Sequence, residues 1–249
     1  MPSTSHRTDL KKPSISGKAK EVFSSLFSEI QTEKQELLSF PKAIFWLNGA
    51  PGAGKGTHLP LILKTCHLKE EAFITISDLL NSPEDKKRKA RGLLVDDRTV
   101  LKRLFEALQS PIYTAGVVVD GFPRTQIQAE YVVLFFEALK ALMPASAKVQ
   151  FHSIVLHVSE ALSVERQLLR GKKALQHNAS VLIKGEGPIL NIRETDIDPD
   201  AAARRYDIFE KQTLEALETL EAAFPCHAVD ANGTLKAIEA DIVSQLSKL

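Results

Sequence analysis

Cysteine is scarce in this chain of 249 residues: Cys66 and Cys226 are the only two. Neither has a partner at metal-ligand spacing, and two such residues do not make a disulfide framework. That usage fits a reducing compartment. An excess of charge of one sign is missing as well. Lysine and arginine number 32 against 31 acidic residues, a net charge of +1, which argues against a generally basic nucleic-acid binder. No apolar run approaches the ~20 residues needed to cross a bilayer, and no hydrophobic signal-peptide core follows the first residues. No internal repeat is visible. The expectation is a soluble cytoplasmic protein with neither nucleic acid nor membrane as partner. Hydrophobic content of 44% and charged content of 25% are ordinary for a globular protein of one large domain or a domain with insertions.

What the chain does have is one unusual stretch. The apolar run Ala43 to Leu47 feeds Gly49, Ala50, Pro51, Gly52, Ala53, Gly54, Lys55, Gly56 and Thr57, and helix formers follow. Glycines at this spacing let successive backbone N–H groups point into one anion-sized hollow. A helix beginning near Gly54 adds its positive dipole end at the same point. Lys55 brings a full charge that can reach outer phosphates. The stretch fits G-x-x-x-x-G-K, but the hydroxyl comes one position late, at Thr57. A glycine-rich turn with a solvated lysine is the bland alternative, and the strand in front argues against it.

Taken in order, residues 1–16 are rich in Ser, Thr, Lys and Pro and are expected to be a disordered tail. Residues 17–40 are expected to be a helical extension. Val22, Phe23, Leu26, Phe27 and Ile30 share one helical face, extended less regularly by Leu37 and Leu38, and Pro41 closes the segment. Residues 41–249 then form the main domain. Strands are expected at Phe73–Ile76, Gly116–Asp120, Ser153–Val158 and Cys226–Val229, besides the first. Helices are expected after each, with Pro60 inside one, Ser159 capping another, and Asp198-Pro199 starting a third that runs to about Ala223. Residues 82–98 carry Lys86, Lys87, Arg88, Lys89 and Arg91, by default a solvated run. Residues 171–197, with glycines at 171, 185 and 187 and weak periodicity, read as an inserted mobile segment. Apolar strands alternating with helices predict an α/β fold, a parallel sheet covered on both faces.

A second stretch runs from Asp120, Gly121, Phe122, Pro123, Arg124 and Thr125 to Gln128 and Ala129. A carboxylate at the C-terminal end of a parallel strand lies where open α/β sheets bind ligands. Asp120 can there face Lys55 and a hydrated magnesium ion. Arg124 offers a fork for phosphate, and Gln128 an amide that can pair with a base.

Together the two stretches resemble the nucleoside monophosphate kinases, and most of all the adenylate kinase family, over about residues 42–249. Gly56 after the lysine, the misfit to the general pattern, is the form that family uses. The resemblance implies a three-layer P-loop kinase fold with a five-stranded parallel sheet, a monophosphate-binding segment at about 77–98 and a lid at about 171–197. It implies reversible phosphoryl transfer from Mg-ATP to AMP giving two ADP, with Mg²⁺ as cofactor, ATP, AMP and ADP as partners, and a monomer. By resemblance, residues 49–57 hold ATP, Lys55 follows the transferred phosphoryl group, and Asp120 holds magnesium through water. Arg124 grips the acceptor phosphate and Gln128 reads adenine, with Ser77 and Gly121 beside AMP. Arg166 stacks on the ATP base, while Arg170, Arg193 and Arg205 surround the phosphates. Spacing from Phe209 and Thr213 selects Arg205, whereas spacing from Arg193 selects Arg204; Arg205 is preferred. Thr125 and Gln128 favour AMP over pyrimidine monophosphates.

Two departures stand out. Where the family has Ser-Thr-Gly-Asp and soon an AMP-binding arginine, this chain has Thr75, Ile76, Ser77 and Asp78, then Asn81. One of the basic residues at 86–91 is a candidate substitute. The expected lid has no cysteine, so the resemblance implies no structural zinc. Three alternatives stay open: a kinase for another monophosphate, a nucleotide-binding homologue without turnover, and an unrelated P-loop ATPase.

Overall fold

The computed structural model describes residues 14–33, 40–90, 95–142, 149–247 and 249. Most of the tail read at 1–16, Leu37, Leu38 and Arg91 lie outside them. In chain order the elements are α1 (Gly17–Glu33), β1 (Ala43–Gly49), α2 (Lys55–Thr65), β2 (Phe73–Thr75), α3 (Ile76–Leu79), α4 (Pro83–Ala90) and α5 (Asp97–Leu108). There follow β3 (Val117–Asp120), α6 (Gln126–Leu142), β4 (Gln150–His157), α7 (Glu160–Lys184), α8 (Pro199–Ile208), α9 (Leu214–Ala223), β5 (Cys226–Asp230) and α10 (Leu235–Leu246).

The strands form one five-stranded sheet in the order β2-β3-β1-β4-β5, and every pairing is parallel. Side chains alternate across a strand, so β1 sends Ile44 and Trp46 into one core and Phe45 and Leu47 into another. Val117 and Val119 join the first core, Val118 the second. Two cores on opposite faces make three layers, which is why the central strands carry no polar alternation.

Helix α1 packs on the first face. Phe23 stacks on Phe27 with ring centroids 5.3 Å apart, and Phe27 meets Phe105 of α5 edge-on at 6.2 Å. Burying each such ring contributes about 1.5–3 kcal/mol. Ser16 donates to the Glu130 carboxylate of α6 through its hydroxyl at 2.5 Å and its N–H at 3.2 Å. Glu29 pairs with Arg98 and Lys102 of α5 at 3.0 and 2.5 Å.

Three local expectations change. Residues 171–184, read from the sequence as the start of an inserted segment, are helical and make up the C-terminal half of α7. The residues α7 buries are Ser163, Gln167 and Gly171, a stripe of small and polar side chains that carries helical spacing but no hydrophobic signal. Ser159 stands at the N-cap of α7, but its hydroxyl makes no cap bond; its N–H donates to Asn232 Oδ1 at 2.9 Å. The helix that starts at Pro199 is interrupted by a π-helical turn at Phe209–Thr213 before α9 resumes. At its start Asp198 accepts from Asp200 N, with Pro199 in the first turn.

Candidate functional site

The C-terminal ends of β1 and β3 open on the same side of the sheet, with Leu47 and Asp120 in register. The loop between β1 and α2 curls there against the first turn of α7. Ser163 Oγ donates to Pro51 O at 2.6 Å. Gly52 has φ +75°, and a Cβ on it would stand 2.6 Å from Ser163 O. Any side chain at Gly52 would therefore push the loop off the helix that backs it. Lys55, the first residue of α2, folds its ammonium back to donate to Gly49 O at 2.6 Å and Ala50 O at 3.2 Å. Gly56 and Thr57 lie exposed on the open side of the first turn.

The charges around this loop act on one another. Burial pushes Lys55 down to about 8, and Arg124, Arg205 and Arg170 press the same way against the pull of Asp120. Burial also raises the Asp120 carboxyl, opposed by Lys55 and Arg124. Burial lowers Arg124, opposed by Asp120 and reinforced by Arg193. Arg205 falls to about 9, through burial first and then Arg193, Arg124 and Arg170. Lys55, Asp120, Arg124, Arg170, Arg193 and Arg205 are thus brought together, with Asp196 acting on Arg205 as well. Crowded, partly buried cations favour a polyanion.

Several of these side chains are fastened from behind. Arg124 Nε donates to Gly121 O at 2.8 Å. Arg170 makes a two-point pair with the buried Asp196, Nε to Oδ2 at 3.2 Å and Nη2 to Oδ1. Asp196 reaches Arg170 because its short 3₁₀ turn, Glu194–Asp196, crosses α7 at Gly171. A Cβ there would lie 1.8 Å from Asp196 O. Arg193 caps the same turn and is exposed. Arg205 Nη1 reaches Gln167 Oε1 and Thr195 Oγ1, both at 3.4 Å. Arg204 instead faces solvent, 64% exposed and 3.7 Å from Asp198.

The other residues named from the sequence make contacts of their own. Arg166 donates to Ala231 O at 2.8 Å and to Gly233 O at 3.5 Å, on the loop after β5. Gln128 is 3% exposed; its Oε1 accepts from Arg124 N at 2.8 Å, and its Nε2 donates to Asp97 Oδ1 at 2.9 Å. Ser77 lies on α3 with its hydroxyl 3.3 Å from Asp78 Oδ1. Asn81 turns its amide back onto Asp78 O. Beyond it, α4 is held by Arg103, which bonds Asp85 Oδ2 at 2.7 Å and Leu79 O at 2.8 Å.

Sequence reasoning missed Ser163, Gln167, Asp196, Asp97 and Asp85. The first two lie in the polar stripe of α7, and the three carboxylates act through contacts distant in sequence, so no local pattern marks them.

A strand, a phosphate-sized loop, a helix with Lys55 at its start and a carboxylate on the neighbouring parallel strand define a P-loop kinase fold. No family model matches the chain. Its sequence is nevertheless similar to adenylate kinases, in keeping with membership of that family. It is 27% identical over 207 residues to the adenylate kinase of Trichodesmium erythraeum, a match covering 81% of this chain and 96% of that protein. It is 28% identical over 202 residues to that of Rhodopirellula baltica, covering 80% and 92%. To that of Lachnoclostridium phytofermentans it is 29% identical over 221 residues, covering 81% and 96%.

Proposed function

We propose that this protein transfers the terminal phosphoryl group of Mg-ATP reversibly to AMP, giving two ADP. The observation that carries the reading is the mutual electrostatic coupling of Lys55, Arg124, Arg170, Arg193 and Arg205 around Asp120. The similarity to adenylate kinases supports the same reading.

Transfer of this kind needs no covalent protein nucleophile. It needs two phosphates held in line and positive charge around oxygens that share negative charge in the transition state. Residues 49–57 present backbone N–H groups to the β- and γ-phosphates, and Lys55 exchanges its two carbonyl partners for phosphate oxygens. Arg124 holds the phosphate of AMP, an oxygen of which attacks the γ-phosphorus as the bond to the bridging β–γ oxygen breaks. Arg170, Arg193 and Arg205 surround the group in flight, and Arg166 lies under the ATP base. Ser77 and Gly121 border AMP, whose adenine Gln128 reads.

Asp120 Oδ1 is buried without a hydrogen-bond partner. That suits a group bringing its own donors, such as the water shell of magnesium, which Asp120 would hold. Magnesium held there would supply neutralising charge to the phosphates. Water must be kept out, or ATP is hydrolysed instead. In this reading residues 171–197 close over ATP and residues 77–98 over AMP, and the protein works as a cytoplasmic monomer. Hydrogen exchange with a bisubstrate analogue should show added protection in both segments; unchanged exchange would sink the closure.

Asn81, in place of the expected arginine and turned onto Asp78 O, favours a second reading, a kinase for a different monophosphate. ADP formation from ATP measured with AMP, GMP, UMP and CMP in turn separates the two. AMP is expected to give the highest rate. A better rate with another monophosphate replaces the reading, and ATP binding without ADP formation from any of them removes it.

A further inference from the structure

We infer that Asp97 sets the base preference of the monophosphate site, as a positioning residue that fixes which way round the Gln128 amide lies. The inference rests on the reading that Gln128 faces the base. Asp97 is the first residue of α5, and its Oδ1 accepts two hydrogen bonds at 2.9 Å, from Thr125 Oγ1 and from Gln128 Nε2. On the opposite side, Gln128 Oε1 accepts from the main-chain N–H of Arg124 at 2.8 Å. A carboxylate can only accept and a backbone N–H can only donate, so the two ends of this amide cannot exchange. Thr125 is locked by the same logic. Its proton goes to Asp97, leaving the oxygen to accept from Gln128 N at 3.3 Å.

An amide so fixed keeps one N–H and one carbonyl lone pair in an assigned order. Adenine offers an acceptor at N1 beside a donor at N6, whereas hypoxanthine offers a donor at N1 beside an acceptor at O6. The two bases are mirror images in this respect, and only an amide that cannot turn over tells them apart. Asp97, together with the main-chain N–H of Arg124, is therefore the source of discrimination, and Gln128 the surface through which it acts. The start of α5 is also steadied from outside, because Arg98, the next residue, pairs with Glu29 of α1 at 3.0 Å.

The test compares wild type with Asp97→Asn and Asp97→Ala, using AMP and IMP as acceptors. Asp96 caps α5 through Thr99 N at 2.9 Å, so either substitution leaves the helix its cap. Loss of a charge-assisted hydrogen bond predicts about a tenfold rise in KM for AMP in the alanine variant. KM for ATP should be unchanged and kcat should stay within about twofold, because Asp97 touches no reacting group. The preference for AMP over IMP should fall about tenfold, with the asparagine variant in between. Titration calorimetry with AMP and IMP should give the same order from binding alone. A protein that binds with this preference but transfers nothing would remove the kinase reading and keep the role of Asp97. An unchanged preference in the alanine variant, or kcat and both KM values shifting together with a lowered Tm, would overturn the role of Asp97 even in an active kinase.

Discussion

The two halves of the cleft are built differently. On the side proposed for ATP, the loop at residues 49–57 is held by main chain and short contacts. Pro51 O is bonded by Ser163, Gly52 lies against the α7 backbone, and Lys55 spans two carbonyls. On the side proposed for the monophosphate, α3 is four residues long, and Arg103 ties it and α4 to α5 by bonds to Leu79 O and Asp85. A site made of backbone tolerates little change, because each substitution must fit a close approach. A site made of exchangeable side chains tolerates more, because a charge can be supplied from a neighbouring position. The difference tells where variation in such a protein can enter.

The comparison can be broken most sharply at Lys55. Lys55→Ala should cut turnover by about 10³-fold or more, leaving the circular dichroism spectrum unchanged. Near-normal activity would remove its assigned role. At the neighbouring arginines, Arg205→Ala is expected to lose about 10²–10³-fold in kcat, and Arg204→Ala to stay near wild type. Comparable losses in both would mean that the exposure of Arg204 misleads. Gly171→Ala forces a methyl onto Asp196 O, displacing the partner of Arg170, and should cost about 10²-fold in kcat/KM with a lower Tm. On the other side of the cleft, Arg103→Met should raise KM for AMP by about tenfold and spare KM for ATP. An equal rise in both would show that the two halves are not separately built.

The smallest effect is in pH. Lys55 titrates at about 8 against an ordinary 10.5, so the free protein loses this charge as pH rises through 8. kcat/KM for ATP, which reports the free enzyme, should fall about fivefold between pH 8 and 9. kcat should hold to higher pH, since bound phosphates restore the ammonium. Stability of the free protein should rise between 8 and 10.5, where the unfolded chain binds the extra proton. A flat kcat/KM profile would show that Lys55 keeps its charge.

The sheet was legible because its signal is local. Runs such as Val117–Asp120 are apolar on both faces, and each ends near a turn. The glycine loop was legible because phosphate-sized curvature demands glycine and lysine at fixed intervals. What stayed hidden were contacts between distant segments. Nothing near Ser163 announces Pro51, and nothing near Asp97 announces Gln128. Gly171 was actively misleading, since a lone glycine reads as a break in a helix. There it is the residue that lets a second chain segment cross the helix at contact distance.

The π-helical turn at Phe209–Thr213 works as a register adapter. One residue more than an α-helical turn requires is absorbed there, so α8 can aim Arg205 at Gln167 and Thr195 while α9 aims Ala216, Leu217 and Leu220 at the core. In a plain α-helix the surplus residue would rotate one half by about 100° against the other, and either the charge or the core would be misdirected. The helix thus has a place where length can vary without cost to aim. An ancestor or relative could drop one residue in this turn and keep both faces true, and the deletion should be silent where the same deletion one turn earlier is not.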